Sequence, residues 1–342
     1  MTVLRRIGLG LLPVVLALAF ATLLLVLAGA APLDAFRLLI EGAFGTADKA
    51  SDTLMSWVPT VLCAAGLLIT YAAGLWNIGV EGQIVFGAIA AAWMAREVTA
   101  PAEALVPLTM LGGIVGGALW GLFVGSLRAF GKVNEIFGGL GLNFVATGLT
   151  IYLIIGPWKR AGIASTSGTE PFPREAWLST LEGLRLAPLA IGLAIVAVIV
   201  VYVLLRGTLF GLRLKAVGKN MRSAFLLGIP TTRYMLAAFA LCGGLAGLAG
   251  AIQATGFHHK LVPAVSGGYG YLGILVAMLA GFRVLWVAPL ALFFAMITVG
   301  STQLQLRLNL DSSLGGVLQG VLVLFVLMAQ GWQEKRRMKA EG

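Results

Sequence analysis

"AAGLWNIGVEGQIVFGAIAAAW", residues 72–93, is an apolar ribbon interrupted at its centre by Asn77, Glu81 and Gln83. What those groups do depends on the solvent around them, and composition decides the solvent. Of 342 residues, 59% are hydrophobic and 11% charged. The mean hydropathy is +0.96. Ordinary soluble domains carry roughly 25% charged residues, so a water-soluble globule is excluded. Runs that are apolar all round, near the roughly 20 residues a helix needs to cross a bilayer, predict an all-α polytopic transmembrane bundle of about ten helices. A β-barrel would show segments of about ten residues alternating apolar and polar.

Working outward, the spans are expected near 7–30, 57–76, 82–98, 104–127, 136–156, 187–205, 234–254, 270–286, 288–308 and 314–331. The stretch "MTVLRRIGLGLLPVVLALAFATLLLVLAGAAP" resembles a signal peptide. Its apolar part exceeds the roughly 7–15 residues of a signal core, so a retained first helix is expected. The net charge of +10 sits in clusters between apolar runs, which reads as topology and lipid contact and not as nucleic-acid binding. With both termini cytoplasmic, fifteen of the 24 cations but only four of the 14 acids fall on the inner side. The whole of 1–342 reads as one membrane domain, with outer loops at 31–56 and 157–186 and an inner loop at 206–233.

Glycines every four residues (Gly113, Gly117, Gly121 and Gly125; Gly243 and Gly247; Gly316 and Gly320) predict close helix approach. Spans 2–5 and 7–10 form an expected inverted repeat, each half broken early, at "WNIGVEGQ" and at "HHKLVPAVSGGYGYLG". Paired interruptions of this kind point to a translocation site. At the first break three readings stand open: a solvated cytoplasmic turn, side chains capping two half-helices, or groups on a solute path. Asn143, mid-span, needs a bundle partner, and Glu135 opens its helix favourably for the dipole. In the inner loop, "GKNMRSAFLLGI" offers a short helix N-capped by Asn220, with Phe225 and Leu226 to dock and Gly228 to stop it.

Other chemistry is poorly supported. Cys63 and Cys242 read as small packing residues, and His258-His259 lack acidic or thiol neighbours for a metal. The pattern in "GGYGYLG" has no preceding strand, so it is no dinucleotide fingerprint. No P-loop and no nucleophile–base constellation occurs, so neither catalytic nor metal residues are expected.

The opening stretch resembles the corresponding motif in permeases of bacterial ATP-binding-cassette (ABC) importers, of the branched-chain amino acid, ribose and simple-sugar superfamily and its nucleoside-type subgroup. "KVNEIFGGLGLNFVATGLTIYLIIGPWK", "FGLRLKAVGKNMRSAFLLGIPTTRYMLAAFALCGGLAGLAGAIQ" and "GGYGYLGILVAML" are similar to three further segments of that family. Met221 stands where the family usually has proline, and "AGFRVLWVAP" where it has a Gly-Arg-x-x-Pro-type turn.

The resemblance implies a permease subunit in a bacterial-type inner membrane, moving a nucleoside or related small polar solute by alternating access. It implies ATPase subunits docking beneath 206–233, with ATP on those partners and no cofactor bound directly. It also implies an extracytoplasmic solute-binding protein and a second permease chain, identical or different. Trp76, Asn77, Glu81, Gln83, Asn143, Ser266, Tyr269 and Tyr271 are the expected solute-path residues. Gly218, Lys219, Asn220, Arg222, Phe225, Leu226 and Gly228 are the expected ATPase-coupling residues. The rival readings are a permease for ribose-like sugars, an ion-coupled secondary transporter, which would want deep carboxylates or histidines, and a non-transporting scaffold.

Overall fold

A computed structural model describes residues 15–341 apart from 17, 161, 163–165, 309 and 312, with side chains through residue 328 and at 331. The described residues form helices and no strand, an all-α membrane bundle. The expectation of a first span from residue 7 lies partly outside them. The helices are α1 (Leu18–Leu27), α2 (Pro32–Phe44), α3 (Ala47–Ala72), α4 (Val80–Glu97), α5 (Ala102–Ala129), α6 (Glu135–Ile155), α7 (Pro188–Gly207), α8 (Leu209–Lys219), α9 (Met221–Leu226), α10 (Thr231–Ile252), α11 (Tyr269–Leu279), α12 (Val287–Leu308) and α13 (Ser313–Glu341).

Six of the described helices are long and apolar enough to cross a membrane, or seven if α1 and α2, bent by 107°, count as one span. Ten were expected, and the shortfall has local causes. Helix α4 carries Glu81, Arg96 and Glu97 within 18 residues. Helix α11 has 11 residues, roughly 16 Å at 1.5 Å per residue, and Gly281 and Phe282 follow it with positive φ. In α13 the apolar stretch is Ser313–Met328. The expected loop at 31–56 is instead helical, α2 followed by the start of α3. Its alternating charge is that of an amphipathic helix: Ala35, Leu39, Gly42 and Ala43 are buried, while exposed Arg37 pairs with Glu41 at 2.6 Å.

The chain divides into two compact units. One comprises residues 57–291, the other 1–56 with 292–342. In the second, Ala21, Leu25, Ala35, Leu39, Leu304 and Leu318 share an apolar core, and a Cβ on Gly300 would strike the Leu39 carbonyl. Gln319 Nε2 donates to the Phe294 carbonyl and to Thr298 Oγ1, both at 3.0 Å.

The first unit is built on α4, α5 and α10. A Cβ on Gly117 would strike the Gly243 carbonyl, one on Gly121 the Phe239 carbonyl, and one on Gly87 the Gly247 backbone. Apolar burial supplies no drive between helices in lipid, so backbone contact and dispersion must. The α5 and α10 glycines meet as expected. Gly316 and Gly320 do not: a Cβ on either would meet nothing within 4 Å, and Gly315 is the α13 glycine packed closely, against Ser301.

Gly247→Ala would drive a methyl into the Gly113 carbonyl. It is expected to cost roughly 1–3 kcal/mol of stability, read as a lower unfolding temperature in detergent. Gly320→Ala, facing open space, is expected to hold or raise that temperature.

Candidate functional site

Helix α3 ends where Gly74 takes φ +72. Leu75 N–H then reaches back to the Thr70 carbonyl at 3.0 Å, the closing bond of a Schellman cap. The chain runs irregularly through residues 75–79 before α4 starts at Val80. Backbone freed from a helix in an apolar interior must find internal partners. Asn143, from the middle of α6, supplies two. Its Oδ1 accepts from Gly82 N–H at 2.8 Å, and its Nδ2 donates to the Ile78 carbonyl at 3.0 Å. Residue 82 has no room for a side chain, because a Cβ would sit 2.8 Å from that Oδ1 and 2.9 Å from Trp120 Nε1.

Asn77 and Gln83 exchange amide hydrogen bonds across the break, at 3.0 and 3.2 Å. Asn77 Nδ2 also donates to Cys242 Sγ on α10 at 3.1 Å. Both amides are buried, at 1% and 0% exposure. Cys242 was read as packing alone. Its backbone does lie against Gly66, but the thiol also serves as an acceptor, which spacing cannot reveal.

Glu81, in the first turn of α4, turns away from its own helix. Its Oε2 accepts from Gly270 N–H at 2.9 Å. That N–H belongs to the first turn of α11, whose entrance follows Gly267 and Gly268, both with positive φ. A helix N-terminus presents unpaired N–H groups and partial positive charge, so a carboxylate there is stabilised by geometry as well as by field. Glu81 is a cap borrowed from another helix. A Cβ on Gly270 would collide with its Oε2.

The buried polar group at the two breaks comprises Asn77, Glu81, Gln83, Asn143 and Ser266. Trp76 and Tyr271 do not join it and are exposed; Trp76 lies against Tyr71 with ring centroids 5.1 Å apart. Tyr269 packs over Gly267. Glu135 pairs with Arg128 at 3.0 Å, and Asn134 is the N-cap of its helix.

The segment 206–233 holds two helices, α8 and the short α9 expected in "GKNMRSAFLLGI". Asn220 caps α9, accepting from Ser223 N–H at 2.9 Å, and Gly228 follows with φ +78. Lys219, Arg222, Phe225 and Leu226 are exposed, the last two at 67% and 77%. Gly218 is placed differently. It lies on the break after α3: its Cβ would strike the Ala72 carbonyl, and one on Gly74 would come 2.9 Å from the Gly218 carbonyl. Two glycines let α8 touch the first break backbone to backbone. The first was legible, since glycine after an apolar helical run is a common terminator; its pairing with Gly218 was not.

A second missed feature is the π-helical turn Gln253–His258 that continues α10. Trp177 stacks on His259 at 3.9 Å, while Phe172 N–H and Thr169 N–H donate to the carbonyls of His259 and Leu261 at 2.8 and 2.9 Å. Segment 157–186 thereby packs over the end of α10. Among the described residues, no group of three or more His, Cys, Asp or Glu side chains could hold a metal.

Helix breaks satisfied by interior side chains, in an apolar helical protein, characterise the membrane part of a transport system. The chain belongs to the family described as branched-chain amino acid transport system / permease component, which matches residues 50–327. A glucose ABC transporter permease protein of Haloferax volcanii is 32% identical, over 96% of this chain and 89% of its own length. A guanosine ABC transporter permease protein of Bacillus subtilis is 26% identical over 92% of this chain and 91% of its own. A nucleoside ABC transporter permease protein of Lactococcus lactis is 26% identical over 87% and 84%. In the last two organisms a second permease protein named for the same solute also matches, at 23% and 28% identity.

Asn143→Leu removes the acceptor for Gly82 N–H and the donor for the Ile78 carbonyl. Each buried group left unpaired costs about 1–3 kcal/mol, so a strongly lowered unfolding temperature is expected. Cys242→Ser keeps an acceptor for Asn77 and is expected to change that temperature little.

Proposed function

We propose that this chain is a permease subunit of an ABC importer for a nucleoside or related small polar solute, driven by ATP on separate subunits. The contact between Gly218 and Gly74 carries the proposal. A partner ATPase engages the apolar tip of α9, Phe225 and Leu226, on the cytoplasmic side. Helix α8, a rigid rod of 11 residues, conveys the displacement to the end of α3. The break then shifts, and with it the cluster around Asn77, Glu81 and Asn143.

Burial of that cluster favours a framing role for its five residues. Trp76 and Tyr271, with exposed aromatic faces suited to a base or a sugar ring, are the solute-path residues we favour. The two matching permeases in each of two relatives' organisms support pairing with a second, different permease chain, and an extracytoplasmic binding protein delivers the solute. The 32% identity to a glucose permease protein favours a simple sugar as the second reading. The ion-coupled rival gains little, because Glu81 is committed to α11 and Glu135 to Arg128.

Purification in mild detergent and identification of the companion chains is the first test; recovery without any ATPase overturns the proposal. In proteoliposomes holding the assembled transporter, guanosine and glucose uptake separate the two solute readings. Leu226→Asp, on an exposed side chain, is expected to leave folding intact and abolish ATPase co-purification. Gly218→Ala is expected to keep the ATPase bound while uptake per ATP hydrolysed falls at least severalfold. Uptake that persists without ATP and collapses with a proton ionophore would favour the ion-coupled rival.

A further inference from the structure

Between α8 and the turn after α9 lies an open cavity of about 550 Å³, lined by Leu209, Leu212, Arg213, Lys219, Leu227 and Ile229 among others. It is outside the cluster at the breaks, on α8, and shares Lys219 and Gly228 with the expected coupling segment. Its walls are held in place. Phe210 stacks on Tyr234, the fourth residue of α10, with centroids 5.1 Å apart, and Arg213 Nη1 lies 3.5 Å from Tyr234 Oη. Lys215 Nζ donates to the Leu205 carbonyl in the last turn of α7 at 2.5 Å.

Height and charge say what fits. Helix α7 ends at Gly207 and α10 begins at Thr231, and both are long and apolar enough to cross a membrane. The cavity therefore opens at the level where two spans leave the hydrocarbon. Leu209 and Leu212 are exposed on the α8 face that also carries Arg213 and Lys219. Segment 206–233 holds six cations and no acid, and no Asp or Glu occurs between Glu182 and Asp311. The ion pairs Arg37–Glu41 and Arg128–Glu135 involve none of the cavity's cations. Cations beside leucines at the membrane edge match a group with a phosphate at one end and an acyl chain at the other. Basic pockets between spans on the cytoplasmic side recognise anionic headgroups in this way.

We propose that this cavity binds one anionic phospholipid of the cytoplasmic leaflet, its phosphate between Arg213 and Lys219 and its acyl chain along Leu209 and Leu212. The proposal takes only the leaflet from the orientation above. It makes the stalk of the coupling segment sensitive to the charge of the surrounding membrane.

The test uses the full chain in nanodiscs of phosphatidylcholine doped with phosphatidylglycerol, with retained lipid counted after transfer to detergent by native mass spectrometry. One retained phosphatidylglycerol is expected, falling roughly tenfold or more in R213Q/K219Q. The variant R222Q/R233Q removes two charges from the same segment but none from the cavity wall, and is expected to retain it. Equal loss in both variants, or equal retention of phosphatidylcholine, overturns the site. Displacement of the lipid by excess inorganic phosphate would reduce it to a phosphate site and overturn the lipid assignment. If R213Q/K219Q keeps its lipid but loses ATPase co-purification, the cavity belongs to the ATPase interface and the proposal fails. Lipid retention is read on this chain alone, so failure of the transport reading leaves the result standing.

Discussion

The structure of residues 57–291 depends on one requirement: polar backbone exposed by a broken helix in an apolar interior must be satisfied from within the protein. Glu81 meets it for α11, and Asn143 meets it for α4. Because Glu81 sits in the first turn of α4, its carboxylate holds the entrance of one half-helix from the entrance of the other. An ionised group at membrane depth is costly when isolated. The Gly270 N–H at the N-terminus of α11 makes this one a structural tie.

Around that tie, glycine sets the distances. In α4, α5 and α10 it lets three backbones approach until the carbonyl of one lies where the side chain of another would be. Interiors this closely packed shift between discrete arrangements in preference to deforming smoothly. The same device recurs at Gly74 and Gly218, where backbone contact replaces a compressible side chain. On the coupling route proposed above, this contact would pass a displacement of α8 to the end of α3, so that the missing Cβ would serve transmission as well as close packing.

The readings that held were those resting on short-range physics. Runs apolar all round give the helical bundle, Asn220 and Gly228 delimit α9 as capping rules require, and the two interruptions are real breaks. Those that failed treated hydrophobicity as sufficient. The run 270–286 is apolar enough for a span, yet Gly281 and Phe282 end its helix early. Residues 31–56 were expected as an outer segment between spans; they hold helix α2, whose exposed Arg37 and Glu41 lie away from buried Ala35 and Leu39. Gly316 and Gly320 have the spacing of a packing face but no neighbour on it, while Gly315, off the pattern, is the one in contact.

For Asn77, Glu81 and Gln83, the residues alone left a solvated turn, a cap and a solute path equally open. All three readings need a polar group near a break, and composition says only that such a group must be satisfied. Which partner satisfies it is a matter of residues brought together across the chain: Gly270 lies 189 positions from Glu81, and Cys242 lies 165 from Asn77. Sequence by itself determined the solvent, the helical class and the caps of α9, because each follows from local composition and backbone preference. Tertiary structure alone decided that Glu81 and Asn143 cap foreign helices and that Gly218 rests on Gly74, because hydrogen bonds and backbone contacts depend on distance in space, which separation along the chain does not encode.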